Sequence, residues 1–311
     1  MPVSRIAVTG GTGFVGGAVI KAALDDGWEV HSFGRREVPG TVHHYWEALE
    51  QNESTGLQFD AVIHCAAAAS DWGNDEEIAA VNISGTREAL LIDPEARFIH
   101  ISTGSVYQPN GRRGTLMTET TPRSGSYLNA YARSKSEAEE LVLDDGRKNG
   151  SIILRPHAIY GSGDMTLLPR VEKAAQRFIL PLPDGGRNLI SLTRIDTLVS
   201  VVMEMISQQK LQHRVFNVAD GNSVVLKDAL KEILRQRGKR VLVLSVPTGT
   251  AWSIGHLLEW IWRRKGIRSP PPLTRYLVSQ LGYTKTYDLM RVERQLGREM
   301  PEPDFSDASA W

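Results

Sequence analysis

One stretch near the start constrains the fold more than any other: Gly10-Gly-Thr12-Gly13-Phe14-Val15-Gly16-Gly17. It follows the apolar run Ile6-Ala7-Val8 and leads into a helical pattern over Phe14–Asp26. Glycines at 10, 13 and 16 leave no side chains in the way, so the backbone can turn tightly, approach a pyrophosphate and pack helix on sheet. The helix that follows presents unpaired N–H groups and a partial positive charge to phosphates. A glycine-rich turn that binds nothing is the bland alternative, and the strand before it and helix after it weigh against that. Gly10, Thr12, Gly13, Phe14, Val15 and Gly16 are therefore expected to hold a dinucleotide.

Strand and helix patterns alternate through the first half. Short apolar strands are expected at Arg5–Thr9, Glu29–Phe33, Asp60–Cys65, Arg97–Ser102 and Ser151–Leu154, with helices at Phe14–Asp26, Glu76–Leu91 and Tyr131–Asp145. Such alternation predicts an α/β fold, a Rossmann-type doubly wound parallel sheet covered on both faces. Residues 34–56 carry no clear pattern, though a strand and a helix are expected there. The stretch from Gly104 to Ser126 reads as a long loop, and loops of that length tend to be functional.

Beyond Arg155-Pro156 the pattern is less regular, which predicts a smaller α+β C-terminal substrate-binding domain over 156–311 after a nucleotide-binding domain over 1–155. Helices are expected at Leu167–Arg177, Ile195–Ser207, Leu226–Arg237 and Thr250–Arg264, with strands near Leu189–Leu192, Val215–Val218 and Val241–Val246. Pro270-Pro271-Pro272 should end any helix. The polar tail Met300–Trp311 is expected to be loosely held, with Trp311 free to dock.

Charge and composition narrow the function. The 36 Lys and Arg balance the 36 Asp and Glu, so no overall field draws nucleic acid or an anionic membrane. No stretch approaches the roughly 20 apolar residues of a membrane span. With no signal-peptide pattern at the N-terminus, a cytoplasmic protein is expected. The single cysteine, Cys65, excludes an internal disulfide and reads as a core residue. No cluster of metal-ligating residues stands out.

The end of the second strand, Ser32-Phe33-Gly34-Arg35-Arg36, decides the dinucleotide. NAD sites usually place an acidic residue there for the ribose, whereas this chain has Gly34 and two arginines. Arg35 and Arg36 suit the 2′-phosphate of NADP(H), a charge-assisted contact worth about 1.5–3 kcal/mol; a solvated basic turn is the alternative. Ala66 and Ala67 follow the next strand and would let the adenosine half lie against the backbone, or simply allow close helix–sheet packing.

Tyr131 and Lys135 stand four residues apart in Asn129-Ala-Tyr-Ala-Arg-Ser-Lys135, so both project from one helix face. An ammonium about 4 Å from the phenol would favour the phenolate by roughly 4 kcal/mol at an effective dielectric of 20. That predicts a lowered Tyr131 pKa and a role in proton exchange with a substrate oxygen, with Lys135 also bonding the nicotinamide ribose. An exposed Tyr/Lys pair is the alternative, disfavoured by the glycine turn upstream. A further hydroxyl should hold the substrate oxygen, and Ser102, Thr103 and Ser105 all end the preceding strand.

Together these residues resemble the extended short-chain dehydrogenase/reductase family over nearly the whole chain. The carrying motifs are the glycine turn, Val81-Asn-Ile-Ser-Gly-Thr-Arg87, the Tyr131/Lys135 pair and Leu154-Arg-Pro-His-Ala-Ile-Tyr-Gly161. The resemblance implies that Thr103 is the catalytic hydroxyl and that Asn82 is the nearest candidate for the structural asparagine. It also implies that Pro156, His157 and Ile159 lie against the nicotinamide, with substrate contact or plain cleft filling also open for His157. It further implies a chain that crosses back to the sheet at about 194–219, and a homodimer. Gly104-Ser105 stand where nucleotide-sugar dehydratases carry Asp-Glu, and Gln108 follows Tyr107 where epimerases carry glycine. Asp71-Trp72-Gly73, Arg155-Pro156-His157, Gly161-Ser-Gly-Asp-Met165 and Pro271-Pro-Leu-Thr-Arg275 look like the branch of 3β-hydroxysteroid dehydrogenases and 2-alkyl-3-oxoalkanoate reductases.

The expected activity is NADP(H)-dependent interconversion of a ketone and a secondary alcohol on a hydrophobic substrate, alkyl, oxoacyl or steroid-like. A nucleotide-sugar epimerase or 4-ketoreductase is the second reading, and a non-catalytic NADPH-sensing regulator the third. The apolar residues of Thr250–Arg264 are expected to be core in preference to a lipid pocket, with Arg263-Arg264-Lys265 as a solvated helix end.

Overall fold

A computed structural model of the protein describes residues 4–52, 55–107, 116–147, 150–165, 167–175 and 178–311. Seven strands form one parallel sheet: β1 (Arg5–Thr9), β2 (Glu29–Gly34), β3 (Val42–Tyr45), β4 (Ala61–His64), β5 (Arg97–Ile101), β6 (Ser151–Pro156) and β7 (Val215–Val218). Their order is β7-β6-β5-β4-β1-β2-β3. Strand β1 pairs with β2 on one side and β4 on the other, so the winding reverses beside it and opens a crevice at the carboxyl ends.

Period-two alternation explains why both faces are dry. Ile6 and Val8 of β1 point to one face, covered by α1 (Phe14–Asp25) and, further along the chain, by the helix Ile195–Ile206. Ala7, Val62, Phe98 and Ile153 point to the other, covered by α2 (Asp75–Leu90) and α3 (Ala130–Asp144). Asn74 and Asn129 cap α2 and α3 by accepting N–H bonds from the first turn.

After β6 the chain leaves the sheet and builds a second core with α4 (Leu167–Ala174), then returns through α5 (Ile195–Ile206) and β7. It leaves again to form α6 (Leu226–Gln236), α7 (Thr248–Arg264), α8 (Arg275–Gly282) and α9 (Met290–Leu296). Leu180, Leu182, Leu226, Leu230 and Leu234 centre this second core. Its Ile179–Pro183 and Leu242–Val246 strands pair in parallel. Among the described residues, no helix is long and apolar enough to cross a membrane.

Three expectations need correcting. Among the described residues no helix forms between β3 and β4; a loop bearing buried Trp46 covers that place. Helix α7 is not a core helix: Ile254, Leu257 and Trp260 are 44%, 54% and 52% exposed, and only Ala251, Gly255 and Glu259 are buried. The tail is not loose, because Arg194 grips Asp307 at 2.6 Å, Arg237 bonds the Ala308 and Trp311 carbonyls, and Trp311 packs on Tyr160. Residues 108–115 of the expected loop, Gln108 included, and the 176–177 end of the expected fourth helix lie outside the described residues.

A buried polar network fastens α3 to the sheet. Arg155 of β6 forks onto Glu139 of α3 at 2.9 and 2.6 Å, and Ser102 beyond β5 donates to the same carboxylate at 2.5 Å. The third Arg155 bond reaches the Tyr107 hydroxyl, which donates in turn to Asn217 of β7. Both ions are out of water, so removing one leaves the other uncompensated. Glu139→Gln should therefore cost roughly 3–5 kcal/mol in urea unfolding, and Glu139→Met with Arg155→Met should recover most of it. A loss under about 1 kcal/mol for the single variant would contradict the clamp.

Candidate active site

The glycine turn is shaped for a ligand at the crevice. Gly10 has φ +70°, and a Cβ there would lie 2.6 Å from the Ala66 nitrogen. At Gly16 a Cβ would lie 2.3 Å from the Gly10 carbonyl oxygen. Gly13 caps α1 without any side-chain bond, so the first N–H groups of α1, from Phe14 and Val15, are left for a ligand. These features fit the diphosphate of a nicotinamide dinucleotide. Of the two arginines, Arg36 reaches Thr12 Oγ1 at 3.3 Å, while Arg35 is exposed and acts on the Tyr45 phenol. Ala66 accepts no crowding: its N–H donates to Thr9 Oγ1 at 3.2 Å, while Ala67 is exposed.

Tyr131 and Lys135 share the inner face of α3, but their surroundings differ from the expectation. Burial raises the Tyr131 pKa above its usual value, offset only by the Thr103 hydroxyl beside it. The Lys135 ammonium instead donates to His100 Nε2 at 3.0 Å. Burial pushes Lys135 down to about 8, against the pull of Glu139 one turn on. The expected acidification of the phenol is thus absent here, because the ammonium is engaged on the strand below. His100 itself lies well below its ordinary pKa through burial and the Lys135 charge, so it accepts as a neutral ring. Its neighbour His64 stacks on it, with ring centroids 5.3 Å apart, and bonds Thr9 and Thr86.

Among the three candidate hydroxyls the structure separates the roles. Ser102 is spent on Glu139, and Ser105 bonds the Tyr276 hydroxyl at 2.8 Å, leaving Thr103 with Tyr131. Asn82 accepts from Ala68 N–H at 2.7 Å and donates to Ser134 at 2.8 Å, tying the loop after β4 to α3. Pro156 ends β6, and His157 follows with its N–H and carbonyl both held by Thr193 Oγ1. Ala158 takes a left-handed φ of +47°, and Ile159 pairs with Thr193.

The second lobe adds groups that the motifs did not name. Tyr276 comes from α8, and Tyr287 packs its ring 5.0 Å from that of His157 with its hydroxyl 3.4 Å from the Gly104 carbonyl. Lys285 precedes it. The alternation Tyr283-Thr-Lys285-Thr-Tyr287 was the signal available in the sequence, since 285 and 287 share a face in extended chain. The loop after β4 locks the lobes together: Asp71 meets Arg170 and Thr274, and Trp72 donates to the Ile267 carbonyl.

With this geometry in view, the family model described as the NAD dependent epimerase/dehydratase family matches residues 6–219. The chain belongs to that family, within the extended short-chain dehydrogenases/reductases. It is similar to the 2-alkyl-3-oxoalkanoate reductase of Stenotrophomonas maltophilia, 26% identical over 311 residues covering 94% of each chain. It is also similar to the 3-beta-hydroxysteroid dehydrogenase of Mycolicibacterium neoaurum, 23% identical over 96% of this chain and 87% of the other. A crystal structure of a short-chain dehydrogenase/reductase superfamily protein from Agrobacterium tumefaciens with bound NAD superposes with TM-score 0.71. At 20% identity, covering 98% of this chain and 94% of that one, it shares the fold.

The histidines give a measurable pH dependence. Burial first, then the Lys285 charge, pushes His157 down to about 3. Between that value and the unfolded value near 6.5, the unfolded chain binds the extra proton, so stability falls as pH drops through this window. The difference in urea midpoint between wild type and His157→Gln should shrink or reverse from pH 7 to pH 4. A constant difference would contradict a buried neutral ring.

Proposed function

We propose that the protein is an NADP(H)-dependent oxidoreductase that interconverts a ketone and a secondary alcohol on a hydrophobic small molecule, alkyl, oxoacyl or steroid-like. The single observation that carries this reading is the Thr103–Tyr131 pair at the sheet's carboxyl edge, with Lys135 buried behind it. Residues Gly10, Thr12, Gly13, Phe14, Val15, Gly16, Ala66 and Ala67 would cradle the dinucleotide, Arg36 and Arg35 its 2′-phosphate, and Pro156 to Ile159 the nicotinamide side. When bound, the reduced nicotinamide supplies the hydride for the carbonyl carbon.

The chain's own residues then handle the oxygen. Thr103 donates to the carbonyl oxygen and orients it, and Tyr131 gives up its proton as negative charge develops there. A phenol whose pKa is raised stays protonated at neutral pH, which suits it to act as the acid in ketone reduction. Lys135 supplies positive charge close behind, and the phenol regains its proton from solvent. A nucleotide-sugar epimerase remains the second reading, favoured by the description of the matching family; the aromatic lining from Tyr276 and Tyr287 favours a less polar substrate. A substrate-binding role for 156–311, a homodimer and a cytoplasmic location belong to the same proposal and rest on the sequence reading.

Tyr131→Phe should abolish NADPH oxidation with 3-oxoacyl, steroid and UDP-sugar ketones while leaving NADPH binding intact by fluorescence titration. Retained turnover would remove Tyr131 from its role. Arg36→Met should lower the NADP-over-NAD preference about ten- to a hundredfold, the worth of one charge-assisted bond. A wild-type preference for NAD would overturn the 2′-phosphate assignment.

A further inference from the structure

Helix α7 is apolar on the side that the fold leaves uncovered. Its inner face, Ala251, Gly255 and Glu259 at four-residue spacing, packs against the start of α8. A Cβ on Gly255 would come 3.1 Å from the Arg275 nitrogen, and Glu259 accepts from the backbone and side chain of Arg275. On the outer side, Ile254, Leu257 and Ile261 follow at spacings of three and four, with Trp260 beside them, so all four share one side of the helix. Ile254, Leu257 and Trp260 are exposed and Ile261 is half-buried. Single exposed apolar side chains are ordinary, whereas a continuous stripe marks a surface that meets a partner.

The charges around this stripe have one sign. Arg263, Arg264, Lys265 and Arg268 follow Trp260, all of them exposed. Between Thr248 and Arg275 the sequence holds one carboxylate, Glu259, and it is buried against Arg275. Arg263 meets Asp75 at 3.8 Å. Among the described residues, Arg264, Lys265 and Arg268 make no ion pair. The Arg264 guanidinium stands 4.9 Å over the Trp260 ring, so an aromatic plane and a cation sit together at the end of the stripe. Tryptophan and basic side chains take such places at the headgroup level of a bilayer. A second copy seated on the same face would cover the apolar stripe but bring no exposed carboxylate from its own α7 to the cations. An anionic lipid surface answers both, with its acyl boundary for the stripe and its phosphates for the charges.

We infer that the outer face of α7 docks the protein on an anionic lipid surface. The helix lies in the plane of the interface, with Leu257 and Trp260 set among the headgroups and Arg264, Lys265 and Arg268 on their phosphates. At 17 residues it does not span the bilayer. The inference stands apart from the reaction proposed above. Each cation near such a surface contributes about fivefold in affinity, and each apolar side chain set into it about tenfold.

The test floats the full chain with vesicles of phosphatidylcholine, alone or with a third of phosphatidylglycerol, and titrates the bound fraction against lipid. Wild type should bind the mixed vesicles more tightly than the neutral ones by about tenfold or more. Arg264→Gln with Lys265→Gln and Arg268→Gln should weaken that binding about a hundredfold, and Leu257→Gln with Trp260→Gln about tenfold or more. All five side chains are exposed, so the urea midpoints should stay close to that of wild type. Ile254→Gln alone replaces the apolar pair should that pair lower the midpoint. No binding to either vesicle, equal binding to both, or binding that survives the apolar variants overturns the lipid surface. A wild-type dimer that dissociates in Leu257→Gln with Trp260→Gln, without vesicle binding, gives the face to a second copy and likewise overturns it.

Discussion

The fork of Arg155 onto Glu139 is the interaction on which the rest of the site depends. It joins β6 to α3 inside the protein, and through Ser102, Tyr107 and Asn217 it also fixes the end of β5 and the edge strand β7. Glu139 stands one turn beyond Lys135 and two beyond Tyr131, so the clamp sets the height and rotation of the helix face that carries them. A buried pair of this kind is costly to break and gains little over an apolar substitute. Its value here is position: Thr103 and Tyr131 come from different elements and meet only if β5 and α3 are held in register.

That positioning changes the chemistry from what spacing alone implies. Two side chains one helical turn apart can touch, yet the Lys135 ammonium is taken by His100 from the strand beneath. The phenol is then governed by burial and by Thr103, and it stays protonated. Neutral histidines, stacked under the lysine, keep a low-polarity floor without adding charge.

The second lobe closes the crevice from above through a few specific ties. Asp71 and Trp72, in the loop after β4, hold Arg170, Thr274 and the Ile267 carbonyl, which sets α8 and Tyr276 over Ser105. Glu259 on the buried side of α7 accepts from the Arg275 backbone and side chain, tying α8 to α7. The outward apolar residues of α7 take no part in that packing. Arg264 stacks on Trp260, and Arg263 on Trp72, shielding part of that face.

The sheet, its helices and the nucleotide turn were legible because their signals are local. A short apolar run bounded by turn residues reads as a strand, glycines at 10, 13 and 16 report a backbone need, and four-residue spacing defines a helix face. The shared helix face of Tyr131 and Lys135 followed from the same kind of reading, while the return of the chain at β7 followed only from the family resemblance. The helix expected after β3 failed because Trp46 is buried by the loop, a matter of packing and not of periodicity. The core reading of α7 failed because apolar content does not say whether a neighbour will cover it. The partner of Lys135, the raised pKa of Tyr131, the packing of Tyr287 on His157 and the Tyr276–Ser105 bond arise between residues distant in sequence. Burial and long-range contact set them, and neither quantity exists until the chain has folded.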